Sequence, residues 1–105
     1  MAPTQLEIKE RALKRLCKEE KFYQKELEDQ KEHVKKLEAD PSVDSYDLKK
    51  QIEVQQDTER LLPELYKKIR EFRDDLEKFL ESYEGTEDLE PAKAAIAEAD
   101  ILLSK

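Results

Sequence analysis

The side chains able to do chemistry are few. His33 is the sole histidine and Cys17 the sole cysteine of the 105 residues. A metal site needs several His, Cys or carboxylate ligands at set spacing, and no such set occurs. His33 is flanked by Glu32 and Lys35 on a polar helical face and reads as a surface residue. Cys17 lies at the edge of an apolar seam with no histidine paired to it, so it reads as a small half-buried side chain rather than a nucleophile. Gly85 is the sole glycine, so a glycine-rich phosphate loop is excluded. Neither an enzyme nor a bound cofactor is expected. What remains is binding chemistry. Lys14, Lys18, Lys21 and Lys25 recur at spacings of four, three and four, which puts four ammonium groups on one helical ridge. Such a ridge suits an acidic partner; a solvated face braced by i,i+4 pairs is the plain alternative. Phe22 and Ile8 lie off the seam of the same helix. Ile52 and Val54 fall on a stretch of the second helix with little cover. The candidate partner-binding residues are therefore Lys14, Lys18, Lys21, Phe22, Lys25, Ile52 and Val54.

The composition says what must carry these groups. There are 20 basic and 27 acidic side chains, a net charge of −7, one glycine, four prolines and a hydrophobic fraction of 37%. So few turn residues exclude a many-stranded sandwich or barrel. The length allows one small domain, residues 1–105. The acidic balance argues against nucleic acid, because phosphate binding needs excess Lys and Arg. No apolar run is long enough to span a membrane. The opening MAPTQLEIKER lacks the apolar core of a secretory leader, and a lone cysteine fits a reducing compartment, so a cytoplasmic location is expected.

Periodicity decides between long helices and disorder. Thr4-Gln5-Leu6-Glu7 reads as a capping box. Leu6, Leu13, Leu16, Tyr23, Leu27, Val34 and Leu37 then follow at helical spacing, with Lys9, Glu20 and Gln30 on the same seam. This first helix, about residues 4–39, stops at Asp40-Pro41. Asp44 caps a second, about 44–84, whose seam runs Leu48, Gln51, Gln55, Thr58, Leu62, Leu65, Ile69, Phe72, Leu76, Phe79, Tyr83. Pro63 lies inside it and predicts a local bend rather than a break, since the seam keeps its phase. Gly85 is the expected C-terminal stop. Thr86 or Asp88 caps a third helix, about 88–104, with Pro91 in its first turn and Leu89, Ala92, Ile96, Ala99 and Leu103 on one face.

The short 40–44 connection makes the two long helices antiparallel. Positions summing to about 85 then meet: Leu37 with Leu48, Tyr23 with Leu62, Leu13 with Phe72 and, as a polar pair that would fix register, Gln30 with Gln55. The third helix folds back over the half nearest the termini. Residues 21–64 are left as a two-helix hairpin, where Tyr23, Leu27, Val34, Leu37, Ile52 and Val54 are expected to be incompletely buried. The architecture is an elongated, all-α antiparallel three-helix bundle. Charge divides unevenly along it: residues 4–39 hold ten basic and nine acidic groups, 44–84 eight and twelve, and 85–105 two and five.

The strings LKRLCKEEKFYQKELEDQKEHVKKLEAD, YDLKKQ at 46–51 and RLLPELYKKIREFRDDLEKFL at 60–80 closely resemble the tubulin-specific chaperone A (tubulin folding cofactor A) family, in its short fungal form. YDLKKQ after an acidic turn, followed by Leu-Pro inside the second helix, is the more specific part. The resemblance implies a three-helix bundle that works without ATP or cofactor. It implies β-tubulin as partner, taken up after release from the cytosolic chaperonin and passed on toward αβ heterodimers. Other tubulin folding cofactors are implied further partners, and the setting would be cytoplasmic and cytoskeleton-associated. Two alternatives stay open. One is a spectrin-like structural repeat, disfavoured by the half-length third helix and the missing tryptophan. The other is a homodimer in which two hairpins cover each other's exposed halves.

Overall fold

The computed structural model describes residues 2–104 and contains three helices: α1 Gln5–Ala39, α2 Ser45–Glu81 and α3 Glu90–Leu103. They form a rod with extents of 65 × 30 × 17 Å.

Local chemistry sets the ends. The Thr4 hydroxyl oxygen accepts from the Glu7 N–H at 3.2 Å, and Asp44 accepts from the Tyr46 N–H at 3.0 Å. The reciprocal arm of the expected capping box differs: the Glu7 carboxylate lies 3.4 Å from the Thr4 hydroxyl, while Glu87 in the α2–α3 connection lies nearer at 3.0 Å. The first cap thus also ties the chain start to a distant loop. In the hairpin turn Asp40 accepts from the Ser42 hydroxyl at 2.6 Å and from its N–H at 2.9 Å. The hydroxyl first, then the amide, holds the Asp40 carboxyl below its usual range. α2 runs through Pro63 without a break, with the ring on an exposed side.

Gly85 does not end α2. The helix closes at Glu81, where the Tyr83 N–H bonds to the Leu80 carbonyl in a tighter turn, and no glycine has positive φ. Gly85 instead accommodates a ring: a Cβ there would fall 2.5 Å from Tyr83 Cζ and 2.9 Å from Cε2. The Tyr83 hydroxyl oxygen accepts from the Glu87 N–H at 3.2 Å, so the tyrosine folds the connection over itself. α3 begins at Glu90, with Asp88 accepting the Glu90 N–H at 3.0 Å and Pro91 in the first turn.

The core lies where all three helices overlap: Leu6, Leu13 and Cys17 from α1, Leu65, Ile69 and Leu76 from α2, and Ala92, Ala95, Ala99 and Leu102 from α3. α3 is therefore rotated from the expected face; Ala95 and Leu102 are buried, while Leu89, Ile96 and Leu103 pack at the edge. Alanines let its backbone approach closely. A second correction is Phe72, which is 41% exposed rather than facing Leu13. Beyond α3, Leu27, Val34, Thr58 and Leu62 are all buried, so the two-helix seam closes over itself better than expected; Tyr23, Leu37 and Ile52 are half-buried and Val54 is exposed. Gln30 and Gln55 are not hydrogen-bonded to each other. The Gln55 amide donates to Glu59 at 2.9 Å, one turn along its own helix, and the buried Gln30 Oε1 has no partner among the described residues.

Candidate partner-binding surfaces

The lysine ridge stands on the middle of α1, and its members differ. Lys14 pairs with Glu10 one turn back at 3.0 Å. Lys21 reaches α3 and pairs with Glu98 at 2.8 Å, which raises its pKa above the ordinary lysine value, first through that hydrogen bond and then through charge. Lys18 and Lys25 are exposed and enter no ion pair among the described residues. Half of the ridge is thus braced structure and half is free charge. Phe22 lies beside it, 64% exposed, with its ring edge-on to Tyr23 at 5.6 Å. Phe22 also borders a hollow of about 310 Å³ with Lys25, Glu26 and Asp29. On the other side of Lys25 a hollow of about 480 Å³ is bordered by Lys21, Gln24, Leu27 and Lys31.

Ile52 and Val54 do not join one surface. Residues two apart on a helix point about 200° apart, so the two lie on opposite flanks of α2. The structure brings Lys14, Lys18, Lys21, Lys25 and Phe22 together on α1 and separates Val54 from them. Missed in the sequence were Leu61, 50% exposed, and Phe72, which with Val54 form an exposed row on α2. Their spacings, seven and eleven, were the available signal, since both are close to whole numbers of turns.

Two buried polar features hold the ridge in place. The Glu20 carboxylate is 1% exposed and accepts from the Tyr66 hydroxyl of α2 at 3.0 Å, while that oxygen accepts from the Gln24 amide at 3.0 Å. The Tyr66 hydroxyl is held above its usual pKa, first by burial. Tyr66→Phe leaves the buried carboxylate without this donor and is expected to cost about 1–3 kcal/mol, read as a lower urea midpoint at unchanged helicity. Cys17 is fully buried and its thiol is pushed up to about 11, first by burial and then by Glu98. It stays protonated and shielded at neutral pH, which excludes a nucleophilic role. A disulfide-exchange chromophore is expected to react with it only as fast as the protein unfolds. Because the folded value is the higher one, the thiol's contribution to stability is complete below pH 9.0 and is lost as pH rises toward 11. His33 is exposed, and no group of three potential metal ligands occurs among the described residues. Among the described residues no helix is long and apolar enough to cross a membrane.

A family model described as Tubulin binding cofactor A matches residues 1–96. Tubulin-specific chaperone A of Saccharomyces cerevisiae is 65% identical over 103 residues, 98% of this chain and 97% of that protein. Tubulin-specific chaperone A of Homo sapiens is 34% identical over 91 residues, 87% of this chain and 83% of that protein. Among solved structures, RBL2P, a beta-tubulin binding post-chaperonin cofactor, superposes with a TM-score of 0.91 at 63% identity, covering 97% of this chain and all of that one.

Proposed function

The chain belongs to the tubulin binding cofactor A family, and we propose that it binds β-tubulin after release from the cytosolic chaperonin and hands it on for αβ heterodimer assembly. One observation carries this reading: the whole helical body, from end to end, is shared with a beta-tubulin binding cofactor. The chaperone and cofactor names of the relatives fit a binder rather than an enzyme. Neither ATP nor a cofactor takes part, and the work is done in the cytoplasm.

The contact is assigned to the α1 ridge. Lys18 and Lys25 offer uncommitted charge, Phe22 offers an exposed ring between them, and Lys14 and Lys21 extend the line. Charge at an exposed rim chiefly governs encounter and specificity, while a single exposed aromatic gives a modest apolar anchor. A surface of that kind holds a subunit and still releases it, as a handing-on step requires.

Immobilised protein incubated with separated tubulin subunits tests the reading. Retention of β-tubulin well above α-tubulin, unaltered by ATP, is the expected result. Equal retention of both would favour a structural coiled-coil module without tubulin specificity.

A further inference from the structure

The face of the hairpin turned away from α3 carries chemistry opposite to that of the ridge. On α2, Val54, Leu61 and Phe72 are 44%, 50% and 41% exposed, and their spacing of seven and eleven sets them in one row. Ile8 of α1, 47% exposed, meets the end of that row: Ile8, Ala12 and Phe72 share a hollow of about 310 Å³ with Lys9, Glu71 and Asp75, and no α3 residue borders it. Beside the apolar row runs an acidic one. Glu53, Asp57, Glu64, Glu71 and Asp75 follow at spacings of four, seven, seven and four, again one line on the helix. Asp57 is paired with Arg60 at 3.4 Å and Asp75 with Lys9 at 2.6 Å, while Glu53, Glu64 and Glu71 are exposed with no ion pair among the described residues. Lys68, also exposed and in no ion pair among the described residues, stands in line with the apolar row between Leu61 and Phe72.

We propose that this acid-flanked apolar stripe is a docking surface for a basic amphipathic helix of a partner protein, one whose apolar face is bordered by Lys and Arg. Exposed apolar residues set in one row mark interaction surfaces, and a helix laid along two others presents anchors at this same periodicity. The free carboxylates choose the sign of its border. Area argues against a second copy of this chain as occupant. From residue 54 to 72 the row is about 27 Å long and about 10 Å across, so it covers about 300 Å², well short of the roughly 800 Å² per partner of a standard interface. The negative border would also face another negative border, since the chain carries −7. This surface is distinct from the α1 ridge and does not rest on the β-tubulin reading.

The test uses an 18-residue synthetic helix with a leucine stripe bordered by lysines, and a twin bordered by glutamates, titrated into the isotopically labelled full chain. The expected result is amide shift changes at Ile8, Val54, Leu61 and Phe72 with the lysine peptide and none with its twin. L61S/F72S lowers that affinity at least ten-fold. E53K/E64K/E71K, confined to exposed positions, switches the preference to the glutamate peptide. Shift changes centred on the α1 lysines or on α3, an unchanged affinity of L61S/F72S, or an unchanged preference of the charge-reversed chain would each overturn the proposal. So would concentration-dependent sedimentation of the native chain that L61S/F72S abolishes, because the stripe would then be a self-pairing surface.

Discussion

Reversing Lys14, Lys18 and Lys25 together to glutamate is expected to lower retention of β-tubulin at least ten-fold while leaving the helical content unchanged. Each choice follows from the geometry. Lys18 and Lys25 are exposed with no ion pair among the described residues, so their reversal changes the surface and little else. Lys14 gives up its pair with Glu10 and sets a like charge one turn from it, two effects of about 0.2–0.5 kcal/mol each that stay within one helix. Lys21 is left out deliberately. It holds Glu98 across to α3, and a glutamate there would set two carboxylates against each other and loosen the bundle. A ten-fold loss corresponds to about 1.4 kcal/mol, a modest demand on three reversed charges at one contact. Pull-down with purified β-tubulin, beside a far-ultraviolet dichroism spectrum, reads both halves. Full retention by the triple variant would move the β-tubulin contact off the ridge without touching the family assignment.

The helices and their caps were legible because they are local. Thr4 and Asp44 each satisfy an amide two or three residues on, and no distant contact is needed to foresee that. The continuity of α2 through Pro63 was legible because the apolar phase survives the proline. Gly85 misled for the opposite reason. Its role comes from Tyr83 folding back over it, a contact that a helix-end rule does not contain. The ridge was legible as spacing, but its division into braced and free lysines was not, since Glu98 reaches Lys21 only through the packing of α3. The α2 stripe escaped because a seam read at alternating threes and fours admits any residue within about 60° of its centre. With one neighbour that tolerance is harmless. With α3 on one side, the buried arc of α2 shifts toward α3, and residues at its far edge become surface.

Phe72 and Ile69 measure that shift. Both fit the same apolar period, three residues apart, and a seam-based reading would give the larger side chain the larger role. The structure gives the reverse. Ile69 is fully buried in the three-helix core with Leu13, Leu76 and Ala99, while Phe72 lies about 60° around the helix, away from α3 and 41% exposed. Ile69→Ala removes buried methylenes and leaves a cavity against packed neighbours, which costs about 2–5 kcal/mol. Phe72→Ala removes a ring that water already reaches, and the expected loss is below about 1 kcal/mol. For a domain of this size the first corresponds to a melting point lower by about 10–30 °C, and the second to a few degrees. Urea unfolding of the two variants under identical conditions reads the difference directly. Equal losses would mean that α2 faces its neighbours with Phe72 turned inward, and the exposed stripe would lose its largest member. The expected inequality carries a second consequence: a phenylalanine that contributes little to the fold is free to serve a surface, and its removal is felt in binding rather than in stability.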